Sequence, residues 1–128
     1  MRIYALDEAR AALAEIIPLL ERIRAASYSL RELQGKVARA SGKSATNGHM
    51  PIDEIGGEDR HQALAEELAG AMAELKVFEI ELKDPDRGLI DFYHERHGQL
   101  VYLCFMLGEV AISSWHHINA GFAGRQPL

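Results

Sequence analysis

A single cysteine, Cys104, stands among 128 residues, so no disulfide can form within the chain and nothing points to an oxidising compartment. Long apolar runs are missing as well. The N-terminal run is broken by Asp7, Glu8, Arg10 and Glu15, so it reads neither as a signal peptide nor as a bilayer span, and the expected location is cytoplasmic. Positive charge is scarce: 14 Lys and Arg against 19 Asp and Glu leave a formal net charge of -5. Nucleic acids and anionic membranes call for a basic patch, so neither is expected as a partner. The short ligand signatures HExxH and CxxC are absent. "SGKS" at Ser41 is no phosphate loop, because Val37 stands where that loop needs glycine and a helical pattern precedes it. "KDPDRG" at Lys83 lacks the alternate oxygen ligands and closing glutamate of a calcium loop.

What is present is a globular composition, 48% apolar, of a length that fits a single domain over 1–128. From Leu6 to about Ala40, apolar residues at Leu13, Ile16, Ile17, Leu20, Ile23, Leu30, Leu33 and Val37 fall on one helical stripe. Asp7 is the expected cap, and Pro18 should bend the helix. Residues 41–57 are rich in glycine, serine and asparagine and read as a flexible loop. A second helix follows over Glu58–Lys76, with Leu64, Leu68, Met72 and Leu75 as its stripe. The two should pack antiparallel, with the longer first helix overhanging. An overhang that carries apolar residues predicts a homodimer, driven by Leu30, Leu33 and Val37 or by a mixed sheet face.

Beyond Val77 the period changes to alternation. "FEIELKD" reads as a half-buried strand from Phe78, and "DPDRG" as a turn. "GLIDFYHERHGQLVYLCF", Gly88 to Phe105, reads as two strands joined by a two-residue turn at His97–Gly98. That register sets Phe92 opposite Leu103, Ile90 opposite Phe105 and His94 opposite Val101, an apolar face for the helices. It sets Asp91 opposite Cys104, Tyr93 opposite Tyr102 and Glu95 opposite Leu100 on the other face, where Glu81 and Lys83 can join them. The C-terminal piece fits a short strand or irregular segment. The expected fold is α+β: a long antiparallel two-helix hairpin over about 6–76, then a small antiparallel β-sheet of three or four strands and a tail over about 77–128.

"YALDEARAALAEIIPLL", "ELKDPDRGLIDF" and "VYLCFMLGE…WHHINAGFAGRQPL" together resemble the bacterial family catalogued as domain of unknown function 2203, over nearly the whole chain. The closing "WH…GFAGRQPL" is the most specific stretch. The matching positions include Lys83, Asp84, Asp86, Arg87, Gly88, Asp91, Phe92, Tyr102, Cys104, Gly108, Glu109, Trp115, His116 and Gly121 through Pro127. The resemblance implies a small cytosolic protein and brings no activity with it. Ala5 departs from the usual capping serine or threonine, Phe105 from a tryptophan, and "YHERHG" from a turn with proline and aspartate. His94 and His97 are therefore poor candidates for a shared site.

Three chemistries fit the residues. A divalent metal such as zinc would be held by Asp91, Glu109 and His116, with Cys104 able to converge on them. A nucleophilic Cys104 with His116 as base is disfavoured by its place mid-strand among apolar residues. A small anion would be held by Arg87 and Arg125, so the ligand-binding candidates are Arg87, Asp91, Cys104 and Arg125. Two function classes follow. One is a non-enzymatic interaction or oligomerisation module that uses the helical hairpin. The other is a metal- or small-ligand-binding protein, with enzymatic chemistry open to it, whose polar site lies on the sheet.

Overall fold

The computed structural model describes residues 1–43 and 57–128, and the side chains of 1–36 and 57–128. Helix α1 spans Leu6–Lys43 and α2 spans Gly57–Lys76. An antiparallel meander follows: β1 (Glu81–Asp84), β2 (Leu89–Arg96), β3 (Gln99–Met106), β4 (Ser114–His117) and β5 (Gln126–Pro127), adjacent in that order. A 3-10 turn, Phe122–Gly124, joins the last two strands.

The cap of α1 differs from expectation. The Ala5 carbonyl accepts the first helical bond, from Ala9, so Ala5 is the N-cap. Its side chain cannot cap. Instead the Glu8 carboxylate reaches back to the Ala5 N–H at 2.8 Å, the reciprocal half of a capping box. Asp7 only adds favourable charge to the first turn. The helix runs on through Pro18, whose missing N–H frees the Ala14 carbonyl on the exposed face, where water can satisfy it. It continues through Ser41–Lys43, three residues beyond the expected end. The rest of the expected flexible loop, 44–56, lies outside the described residues.

Two kinds of contact join the helices. Arg22 of α1 reaches Glu67 at 2.8 Å and Glu74 at 2.7 Å on α2. These pairs are exposed, so solvent screens them and they contribute little. The buried stripe of Leu13, Ile16, Leu20 and Ile23 against Ala71 and Leu75 decides the packing, at about 1.5–3 kcal/mol per large side chain. Leu33 is buried within the chain, and it lines a cleft with Lys36 and Arg60 where α2 begins. Val37, the next residue of the stripe invoked for a homodimer, lies outside the described side chains.

The strand read from Phe78 starts later, at Glu81. The amides of Val77, Phe78 and Glu79 bond back three residues and tighten the end of α2, and Glu79 takes a left-handed φ of 56°. The β2–β3 hairpin has the expected register throughout, from Arg96↔Gln99 to Leu89↔Met106. Its turn residues His97 (φ 52°) and Gly98 (φ 78°) both lie in the left-handed region, as a type I′ turn requires. Ile90, Phe92, Val101, Leu103 and Phe105 face the helices and are fully buried. The N-terminal segment closes the core: the Tyr4 amide donates to the Tyr93 carbonyl at 2.7 Å, and its ring meets Phe92 edge-on at 5.0 Å. The sheet has five strands rather than three or four. The fifth is the two-residue β5, which pairs Pro127 with Ser114 and Gln126 with Trp115 and is too short to show alternation.

Candidate functional site

The sheet face turned away from the helices carries the polar residues. Asp91 on β2 is the Cα partner of Cys104 on β3, and Cys104 is the partner of Ser114 on β4. Tyr102 pairs with His116, so the alternation of β4 turns His116 to the same face and Trp115 to the helices. Asp91, Cys104 and His116 are 2%, 1% and 2% exposed. Their ligand atoms, a carboxylate oxygen, the sulfur and a ring nitrogen, lie within 4.8 Å of one another.

His116 Nε2 lies 3.0 Å from Asp91 Oδ1, and Nδ1 lies 2.8 Å from the His117 carbonyl. The Cys104 thiol sits beside this pair, under the negative charge of Asp91. Burial, and then the negative charge of Asp91, push that thiol up to about 12, while Arg125 opposes the shift. A buried thiol held in its protonated form is a poor nucleophile, which weakens the catalytic-cysteine reading.

A cavity of about 180 Å³ opens over the cluster. Lys83, Leu89, Tyr102, Ile118, Gly121 and Phe122 line it beside the three polar residues. Phe122 belongs to the 3-10 turn. The Arg125 guanidinium stands 4.8 Å from the centre of its ring, and that of Arg87 stands 5.5 Å away. Arg125 also bonds both carboxylate oxygens of Glu109, at 2.8 and 2.7 Å, and this pair pins the tail over the sheet. Glu109 accepts the Met106 amide at 2.7 Å as well, so its oxygens are already engaged. A second polar contact leaves the cavity wall: the Tyr93 ring lies 5.0 Å from that of Tyr102 and its hydroxyl donates to Glu81 at 2.7 Å, and these two neighbours raise the hydroxyl pKa.

The structure thus brings together Asp91, Cys104 and His116, and sets Glu109 in an ion pair outside them. Arg87 is exposed and reaches Asp84 at 3.8 Å, Arg125 is held by Glu109, and both guanidinium groups lie against the Phe122 ring. His94 faces the helix side and bonds the Tyr4 carbonyl at 2.7 Å, and His97 is exposed in the turn. The sequence reading missed Ile118, Gly121 and Phe122 as cavity residues. Their one signal was membership of the closing "INAGFAGRQPL" stretch.

The family model described as "Uncharacterized conserved protein (DUF2203)" matches residues 2–128. The chain belongs to this family. The match takes in every residue that lines the cavity, from Lys83 to Phe122, and both helices. No curated protein and no solved structure matches the chain. Among the described residues, no helix is long and apolar enough to cross a membrane.

Proposed function

We propose that this chain is a metal-binding protein in which Asp91, Cys104 and His116 hold one divalent ion of the zinc class. The observation that carries the reading is that a carboxylate oxygen, a thiol sulfur and an imidazole nitrogen, all buried, converge within 4.8 Å of one another. The His117 carbonyl only accepts, so His116 Nδ1 bears a hydrogen. A second proton then lies between Nε2 and Asp91 Oδ1, and the buried Cys104 thiol, its pKa raised, keeps its own. Two protons therefore sit on three groups that bind metals in their deprotonated forms. One divalent ion in their place leaves the net charge of the buried cluster unchanged. That balance matters, because an uncompensated buried charge costs several kcal/mol.

The donor set supports the same reading. Sulfur, nitrogen and oxygen together suit zinc and its neighbours rather than magnesium or calcium. The Nδ1–H bond to a carbonyl is the outer contact that fixes a metal-binding imidazole in one tautomer. Tetrahedral coordination at bond lengths of about 2.0–2.3 Å sets ligand atoms about 3.3–3.7 Å apart, so Nε2 and Oδ1, now 3.0 Å apart, separate slightly and any wider pair, 4.8 Å at most, closes by up to about an ångström. Three protein ligands leave a fourth position, on the side of the cavity.

The test is zinc titration of chelator-treated protein by calorimetry, with circular dichroism to show that it stays folded. One ion per chain is expected, with a loss of more than about 100-fold in affinity for Cys104→Ser and for His116→Gln. A folded wild-type protein that takes up no zinc overturns the reading. The interaction-module alternative has a weaker basis, since Leu33 is already covered within the chain and the mixed sheet face carries its own C-terminal tail.

A further inference from the structure

The cavity beside the three ligands has a distinct chemical character. One cationic side chain lines it, Lys83, whose ammonium rests 5.0 Å from the centre of the Tyr102 ring. Among the described residues, no carboxylate lies within ion-pair distance of that ammonium. Two acids of the same sheet face are otherwise committed: Glu81 accepts from Tyr93, and Asp91 pairs with His116. The opposite wall is hydrocarbon, from Leu89, Ile118 and Phe122. The Phe122 ring is held by Arg125, which Glu109 pins in turn. With a volume of about 180 Å³, the cavity admits a small organic molecule.

A metal held by Asp91, Cys104 and neutral His116 carries no net charge together with its ligands. An anion in the fourth position would add one negative charge, and Lys83 is the cation placed to meet it. We infer that the cavity binds a small carboxylate with a short hydrocarbon tail, its carboxylate between the metal and Lys83 and its tail against Leu89, Ile118 and Phe122. This inference rests on the metal reading above and goes further by naming a ligand class. An inorganic oxyanion satisfies the cationic half of the site and leaves the hydrocarbon wall without a partner. Butyrate has six non-hydrogen atoms and satisfies both.

Cobalt(II) replaces zinc in such sites and reports its coordination in the visible spectrum. The experiment loads the full chain with cobalt and titrates acetate, propionate, butyrate and inorganic phosphate. Butyrate should perturb the cobalt bands and bind more tightly than acetate, by about fourfold for each added methylene. Lys83→Met should retain cobalt and weaken butyrate by about fivefold. Phe122→Ala should retain cobalt and flatten the dependence on chain length. A cobalt-loaded protein whose spectrum ignores butyrate overturns this inference and leaves the metal reading standing. Phosphate binding as tightly as butyrate, with no chain-length trend, likewise overturns it. Failure to take up cobalt overturns the metal reading, and this inference with it.

Discussion

Asp91 and His116 form a buried pair across β2, β3 and β4, with Nε2 3.0 Å from Oδ1 and both side chains almost inaccessible to solvent. Among the described residues, neither has another charged side chain within ion-pair distance. Removing one member leaves a nearly buried polar group without its partner, at a cost of about 3–5 kcal/mol unless water from the cavity replaces it. His116→Ala should lower the unfolding free energy by about that amount, measured by urea denaturation without added metal. Asp91→Asn keeps the shape and a hydrogen-bonding group and should cost less. A loss under about 1 kcal/mol for His116→Ala would mean that the site is wet.

The thiol of Cys104 gives a second prediction, in alkali. Its pKa rises in the folded chain from the ordinary 9.0 to about 12, through burial first and the charge of Asp91 second. A group whose folded value lies above its unfolded value contributes stability below the unfolded value and loses it as pH rises toward the folded one. Metal-free protein should therefore lose stability progressively between about pH 9 and pH 12, through this group. Cys104→Ala should flatten that slope in parallel urea series. The same shift predicts that the native, metal-free thiol reacts with iodoacetamide at neutral pH far more slowly than the unfolded chain does.

Gly88 is required twice over. Its φ is 61°, and a Cβ there would sit 2.4 Å from Leu107 Cγ. Gly98, in the hairpin turn, has φ 78° and open space around it. Gly98→Ala should cost only the backbone strain, about 1 kcal/mol. Gly88→Ala adds a clash inside a packed layer and should cost about 2–4 kcal/mol. Leu107→Ala made in the same chain should return part of that loss. A double-mutant cycle reads the coupling directly, and independent effects of the two changes would refute the clash.

The sequence made some of these positions legible and hid others, for local reasons. A histidine–glycine turn between two alternating runs permits one register, and that register alone places Asp91 opposite Cys104. Phe78 and Ile80 alternate just as a strand would, yet Glu79 in the left-handed region turns them into the close of α2. His116 was visible as a candidate, but its neighbour on the sheet was not, because β4 has four residues and its place depends on pairing with β3. Glu109 was grouped with the ligands because nothing local reveals that Arg125, 16 residues further on, engages it. Phe122 and Ile118 escaped notice because a tail crossing over a sheet leaves no period to read.

The proton arrangement at the site also fixes what metal binding must release. One hydrogen lies between His116 and Asp91, and another on the Cys104 thiol, and both occupy positions where the ion would bind. The hydrogen on Nδ1 stays, because the His117 carbonyl holds it away from the site. Zinc uptake should therefore release about two protons per ion. Calorimetry in buffers of different ionisation enthalpy measures this number without any assumption about affinity. A release of about one proton would mean that the thiol remains protonated and is not a ligand. Cys104→Ser, if it still binds zinc weakly, should release about one proton fewer than the wild type. That difference assigns the second proton to sulfur. A site on surface carboxylates, already ionised at neutral pH, would release almost none.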